Sequence, residues 1–180
     1  MLAVLVFILF LFICTSIYKD RKPWRVSASK RWLKNFRSNK KNYSSRQRFS
    51  YIRKVDHFLW EEILMSCFEE RGYPVIRTKM TRDGGSDGFV TINGNFIVIQ
   101  AKRYKGEIAK AHVMELDRLV SQNKRFNKGL LIHTGKSSAP ILKHFKMNDH
   151  LEIISGVDAI LGFLDGHPIH LFGSPLNKPN

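Results

Sequence analysis

Asp83, Asp87, Gln100 and Lys102 are the chemically suggestive residues of one short stretch, DGGSDGFVTINGNFIVIQAK, which spans residues 83–102. Their types suit phosphodiester chemistry. A carboxylate and an amide oxygen are hard donors of the kind Mg2+ prefers, and such an ion completes its shell with water and phosphate oxygens. A lysine beside them can orient or deprotonate a water and offset charge building on phosphorus. The spacing brings them together. Along NFIVIQAKRY side chains alternate, so Phe96, Val98, Gln100 and Lys102 share one strand face and Ile97, Ile99 and Ala101 the other. Burying a glutamine or lysine without a partner is costly, so these two call for a metal, an anion or a polar group. Asn93-Gly94 is a two-residue hairpin signal. A register that pairs Ile92 with Asn95 sets Asp87 opposite Gln100.

The elements that must hold this hairpin follow from pattern. DHFLWEEILMSCFEER, residues 56–71, reads as a helix. At about 100° per residue, Phe58, Trp60, Leu64, Met65 and Phe68 fall on one arc, and Glu62, Ser66, Glu69 and Glu70 on the other. Glu61 breaks the pattern. It projects between Met65 and Phe68, from where it can reach the same water or metal shell. Gly72 ends the helix. Residues 73–79, 89–92 and 95–104 read as a strand meander. Residues 110–126 read as a helix, 130–133 as a strand, and Ser137 or Ser138 starts a helix running to about 146 with Pro140 in its first turn. A strand at 151–154 and a helix at 158–164 follow. Helix, three strands, helix, strand, helix, strand, helix predicts an α/β fold, a mixed sheet flanked by helices on both faces.

Taken in order, Glu61 on a helix ending in Gly72-Tyr73, DGGSD at 83–87, QAK at 100–102 and RYKG at 103–106 resemble the Mrr-like branch of the PD-(D/E)xK nuclease superfamily. The resemblance spans about residues 56–164. It implies a restriction-endonuclease-like core of order αβββαβ, Mg2+ as cofactor and double-stranded DNA as substrate, in restriction of foreign DNA. It further implies that Asp87, Gln100, Lys102 and Glu61 are catalytic, that Asp87 and Gln100 hold the metal, and that Asp83 is an auxiliary acid. Gln100 stands where the wider superfamily has an acid, and Ser86 where proline is common; within this branch both are familiar. Arg103 and Lys105 are candidate contacts to DNA phosphates, or an ordinary charged strand end. Because single sites cut one strand, a homodimer is expected. Two competing readings are a noncatalytic DNA-binding or membrane scaffold that keeps the fold, and a nuclease for junctions or RNA.

Charge separates the chain into regions. From Lys19 to Lys54 fourteen Lys/Arg face one acid, Asp20, whereas from Val55 onward sixteen face fourteen. A polybasic segment suits anionic lipid or a nucleic-acid backbone. Before it, MLAVLVFILFLFICTSIY carries no charged side chain. As a helix, residues 2–18 would span roughly 25 Å at ~1.5 Å per residue, with Lys19, Arg21, Lys22 and Trp24 at the interface. No Lys or Arg precedes the run and a basic flank follows it, which favours an uncleaved transmembrane anchor over a signal peptide. The flank would stay inside. The expected organisation is an anchor at 1–18, a polybasic linker at 19–54 that binds anionic lipid or DNA or is simply solvated, a nuclease domain at 55–164 and an irregular tail at 165–180. The expected location is the inner (cytoplasmic) membrane, single-pass, with the nuclease domain in the cytoplasm.

Other motifs are weaker. HTGKSS, residues 133–138, resembles the end of a phosphate loop, but that motif needs glycine where Leu130 stands. Cys14 and Cys67 have no CxxC context, so neither a zinc site nor a disulfide framework is expected. His167 and His170 read as surface histidines, and the remaining histidines have no metal-like spacing.

Overall fold

The computed structural model describes residues 23–78 and 86–176. Its helices are α1 (Pro23–Ser38), α2 (Ser45–Ile52), α3 (His57–Glu70), α4 (Lys110–Gln122), α5 (Ala139–Met147) and α6 (Val157–Leu164). Its strands are β1 (Val75–Arg77), β2 (Gly88–Ile92), β3 (Asn95–Lys102), β4 (Lys128–His133) and β5 (Leu151–Ser155), with a small hairpin of β6 (His170–Leu171) and β7 (Ser174–Pro175). The main sheet runs β1-β2-β3-β4-β5. β1, β2 and β3 are antiparallel neighbours, while β3, β4 and β5 are parallel. This is the mixed sheet that the residue pattern predicts.

Local chemistry explains the framework. Asp56 caps α3, its carboxylate accepting from the amides of Phe58 and Leu59. Asn93 and Gly94 have φ of 51° and 77°, the left-handed pair of a type I′ turn whose twist matches the strands. That turn fixes the register, with Ile92 opposite Asn95 and Gly88 opposite Ile99. Ends differ modestly from expectation. β3 stops at Lys102 and α4 at Gln122. Phe126 instead stacks on Phe89 at 4.9 Å between centroids and packs tilted against Phe96 at 5.7 Å.

The sheet separates two apolar clusters. Ile97, Ile99 and Leu130 meet Trp60, Ile63 and Leu64 of α3 and Ile160 and Phe163 of α6. On the other face Val98 and Leu131 meet Val113 and Leu116 of α4 and Phe145 of α5. The first cluster also contains Leu33, Phe36, Phe49 and Ile52. The basic segment expected as a linker therefore forms α1 and α2, and these share the core of the sheet. α1 covers the polar arc of α3, so Glu62 and Ser66, placed opposite the apolar arc, are buried. Ser66 bonds Ser29 of α1 at 2.7 Å between hydroxyl oxygens, and Glu62 accepts from Arg77. Much of the basic charge is spent inside the molecule. Arg37 donates to Glu70 at 2.7 Å, and Arg48 and Lys40 both reach Asp165. Residues 165–176 are likewise tied down. Besides Asp165, Leu171 and Leu176 are buried in the same core.

Among the described residues no helix is long and apolar enough to cross a membrane. The expected span at 1–18 lies outside them, as does Asp83.

Candidate active site

The strand ladder between β2 and β3 ends at Gly88, and Asp87 follows at the level of Gln100. There the main chain gives way to a side chain. The Asp87 amide donates to Ile99 O at 2.9 Å, and its carboxylate Oδ2 accepts from the Ala101 amide at 2.6 Å. One carboxylate oxygen thus takes the place of the next ladder carbonyl. This pins the group at the end of β3, beside Lys102.

Gln100 is 1% exposed and points, with Val98, toward α4. Its Nε2 donates to Glu115 Oε2 at 3.2 Å. A carboxylate only accepts, so the amide nitrogen must face Glu115 and the amide oxygen turns to the other side. Glu115 is held in turn by its surroundings. Its Oε2 lies 3.7 Å from His112 Nδ1, and His112 Nε2 lies 2.6 Å from the Tyr104 hydroxyl. Glu115 and His112 were not singled out by the sequence reading. A buried glutamine signalled that some partner must exist. Which residue supplies it depends on where the crossover helix α4 lands.

Glu61 approaches from α3, on the opposite face of the sheet. Burial, then the charge of Asp87, pushes its carboxyl up to about 7, against the opposing pull of Lys102. Burial also raises Asp87, with Glu115 adding to the effect, while the Ala101 amide and Lys102 oppose it. The structure therefore groups Glu61, Asp87 and Lys102 electrostatically and orients Gln100 alongside through Glu115. Arg103, expected at DNA phosphate, donates to Arg53 O and so braces the end of α2. Lys105 is exposed.

The donor set is chemically apt for a hard divalent cation. It offers the Asp87 carboxylate, the Gln100 amide oxygen and a nearby Glu61 carboxyl, in a place where burial disfavours negative charge and a cation would restore it. Among the described residues no three His, Cys, Asp or Glu side chains are arranged to hold a metal.

The restriction endonuclease family represented by the Mrr catalytic domain matches residues 52–160. The crystal structure of a repair endonuclease from Pyrococcus abyssi matches over 45% of this chain and 37% of its own, at 24% identity and a TM-score of 0.36. No curated protein matches.

Proposed function

The chain belongs to the Mrr-type restriction endonuclease family, and from that premise we propose that it is a Mg2+-dependent endonuclease that hydrolyses phosphodiester bonds of double-stranded DNA. The observation that carries this reading is the convergence of Asp87, Glu61 and Lys102 at the end of β3, where both carboxyls are pushed toward the neutral form. Such a cluster is poorly arranged for stability alone and well arranged to hold a cation against a phosphate.

In this mechanism Asp87 and the Gln100 amide oxygen would hold the cation, which would supply Lewis acidity and charge neutralisation. Lys102 places its ammonium beside the phosphate and stabilises the negative charge that grows as water attacks phosphorus. Glu61, with a carboxyl that titrates near neutrality, accepts a proton from that water. Glu115 keeps the Gln100 amide turned the right way, and Asp83 takes the part of an auxiliary acid. Two copies acting together would cut both strands, so a homodimer belongs to the reading. Restriction of foreign DNA is the role the family suggests.

The test is incubation of the full chain with supercoiled plasmid and Mg2+. Nicking should appear, vanish with chelator, and slow strongly in Lys102→Ala and Asp87→Ala. A protein that binds duplex yet cuts nothing with any divalent metal would be a noncatalytic binding module. Anchoring of this enzyme at the inner face of the cytoplasmic membrane is a separate proposal, supported by the uncharged run of residues 1–18 and the basic residues after it. Release of the full chain from membranes by high salt alone would defeat it.

A further inference from the structure

The HTGKSS segment fails the spacing of a phosphate loop, yet it lines a cavity of about 1000 Å3 between α2, the β4–α5 loop and the start of α6. Arg46, Arg53 and Lys136 line this cavity, and no carboxylate does. Arg53 is fixed, donating through Nε and Nη2 to Thr134 O at 3.0 and 2.6 Å. Arg46 and Lys136 are exposed and, among the described residues, make no ion pair or side-chain hydrogen bond. Three cations around one hollow repel one another unless an anion joins them.

The backbone that carries Lys136 is tightly placed. Its amide donates to Gly106 O at 2.9 Å, and its carbonyl accepts from the Ile108 amide at 3.0 Å. Gly135 permits this approach, because a Cβ there would lie 2.6 Å from Gly106 O. Lys136 is therefore held against the loop that leaves the catalytic strand.

A train of hydrogen bonds points a donor into the same space. His133 is fully buried, and burial pushes its pKa down to about 4, so the ring is neutral at pH 7. Its Nδ1 accepts from the Gly135 amide at 3.2 Å, which places the one ring proton on Nε2. Nε2 then donates to Ser137 Oγ at 3.0 Å, and the Ser137 and Ser155 hydroxyls share a hydrogen bond, also at 3.0 Å. Whichever hydroxyl donates within this pair, the other keeps a proton for a further acceptor. Both Ser137 and Ser155 line the cavity, so the train presents a hydroxyl donor where an acceptor would complete it. Beside it, α6 starts at Gly156 with no side chain capping its first turn.

This hollow lies at the same end of the sheet as the candidate active site. Lys102 pairs with His133, and His133 pairs with Ser155, across adjacent parallel strands. Two strand spacings separate Ser155 from Lys102, roughly 10 Å. The cavity is far larger than one phosphate, and Phe49, Leu142 and Val157 supply apolar walls suited to a sugar.

We propose that this cavity is a second phosphate site, holding a backbone phosphate of duplex DNA a few nucleotides from the one cleaved, with Arg46 and Lys136 as its cations and the Ser137–Ser155 pair as its hydroxyl donor. The choice of DNA as the source of that phosphate rests on the function proposed above. The test uses full-length Lys102→Ala protein, with and without Arg46→Ala and Lys136→Ala, and a duplex carrying one neutral methylphosphonate at successive positions. Both substituted residues are exposed, so the fold should survive.

The Lys102→Ala protein should lose roughly several-fold in affinity at a methylphosphonate a few nucleotides from the cleavage point mapped with wild type. In the triple variant overall affinity should fall, the salt slope should drop by roughly 1 for the phosphate lost, and that position should no longer matter. Ser155→Ala in the same background should weaken the same positional effect. A positional penalty of the same size in the triple variant overturns the proposal. So does a loss of binding to anionic phospholipid vesicles with duplex binding unchanged. If the wild type cuts no DNA while the positional coupling is present, the nuclease reading fails and the phosphate site stands. If it cuts and no position couples, the reverse holds.

Discussion

Asp87 and Asp165 are both held largely within the protein, and the fold treats them in opposite ways. At Asp165 burial works against the charge, but Arg48 and Lys40 more than compensate and hold the carboxyl below its usual range. The Arg48 fork donates from Nη1 and Nη2 to the two carboxylate oxygens at 2.9 and 2.6 Å. At Asp87 a backbone amide and Lys102 oppose burial but do not overcome it, and the carboxyl stays above its usual range. Glu61 is in the same condition, its carboxyl pushed up to about 7. The difference separates a joint from a site. Where α2 must be fastened to the end of α6, charges are matched and bonded in pairs. At the end of β3 acids are gathered in excess of their cation, a state that costs stability and suits the capture of a metal.

Several substitutions test that contrast. Lys102→Ala should have the largest functional effect, a fall in cleavage rate of roughly 10²- to 10³-fold, as expected when one electrostatic stabiliser is lost. Its thermal midpoint should hardly move; a collapse of both would make Lys102 a structural residue. Arg48→Met should do the opposite. Leaving Asp165 buried without its fork costs about 3 kcal/mol, read as a lower urea midpoint at pH 7. The pair's contribution is present above the unfolded Asp pKa near ~3.9 and is lost as pH falls through the depressed folded value. The gap between variant and wild type should therefore close in acid.

Glu61→Gln reverses that sign. Between pH 4.5 and about 7 the folded protein holds the Glu61 proton that the unfolded chain has released, so stability falls as pH rises across this window. In chelator the variant should be more stable than wild type by on the order of 1 kcal/mol at pH 8 and equal to it below pH 4.5, while DNA cleavage with Mg2+ is weakened. An unchanged urea midpoint at pH 8 would mean that Glu61 is not under the strain assigned to it. The smallest effect is expected at Lys30→Ala. Lys30 is 54% exposed and 3.9 Å from Glu69, and such pairs contribute at most about 0.5 kcal/mol when measured.

The hairpin half of the candidate site was legible because its rules are local. A two-residue turn fixes antiparallel register, and strand alternation fixes facing, so Asp87 beside Gln100 follows from the residues between them. Glu61 was legible as an acid on an apolar arc. Glu115 was not, since α4 belongs to a crossover and its rotation over β3 is set by packing of Val113 and Leu116 rather than by any nearby signal. The basic segment misled for the same reason. Residues 23–54 look solvated when the acids and carbonyls they bind lie far along the chain, as with Arg48 and Asp165 or Arg37 and Leu164 O.

By itself the sequence determined the order of strands and helices between residues 56 and 164, the turn at Asn93-Gly94, the alignment of an acid with a glutamine and a lysine, and the surplus of positive charge. These depend on periodicity and on neighbours a few residues apart. Only the tertiary structure decided which cations are neutralised within the fold and which still face a cavity, that α1 and α2 share the core, that Glu115 orients Gln100, and that the ends of β3, β4 and β5 line up a candidate site with a second cationic hollow. Such pairings join residues many positions apart, and the free energy that selects them comes from burying one shared core, which no local pattern encodes.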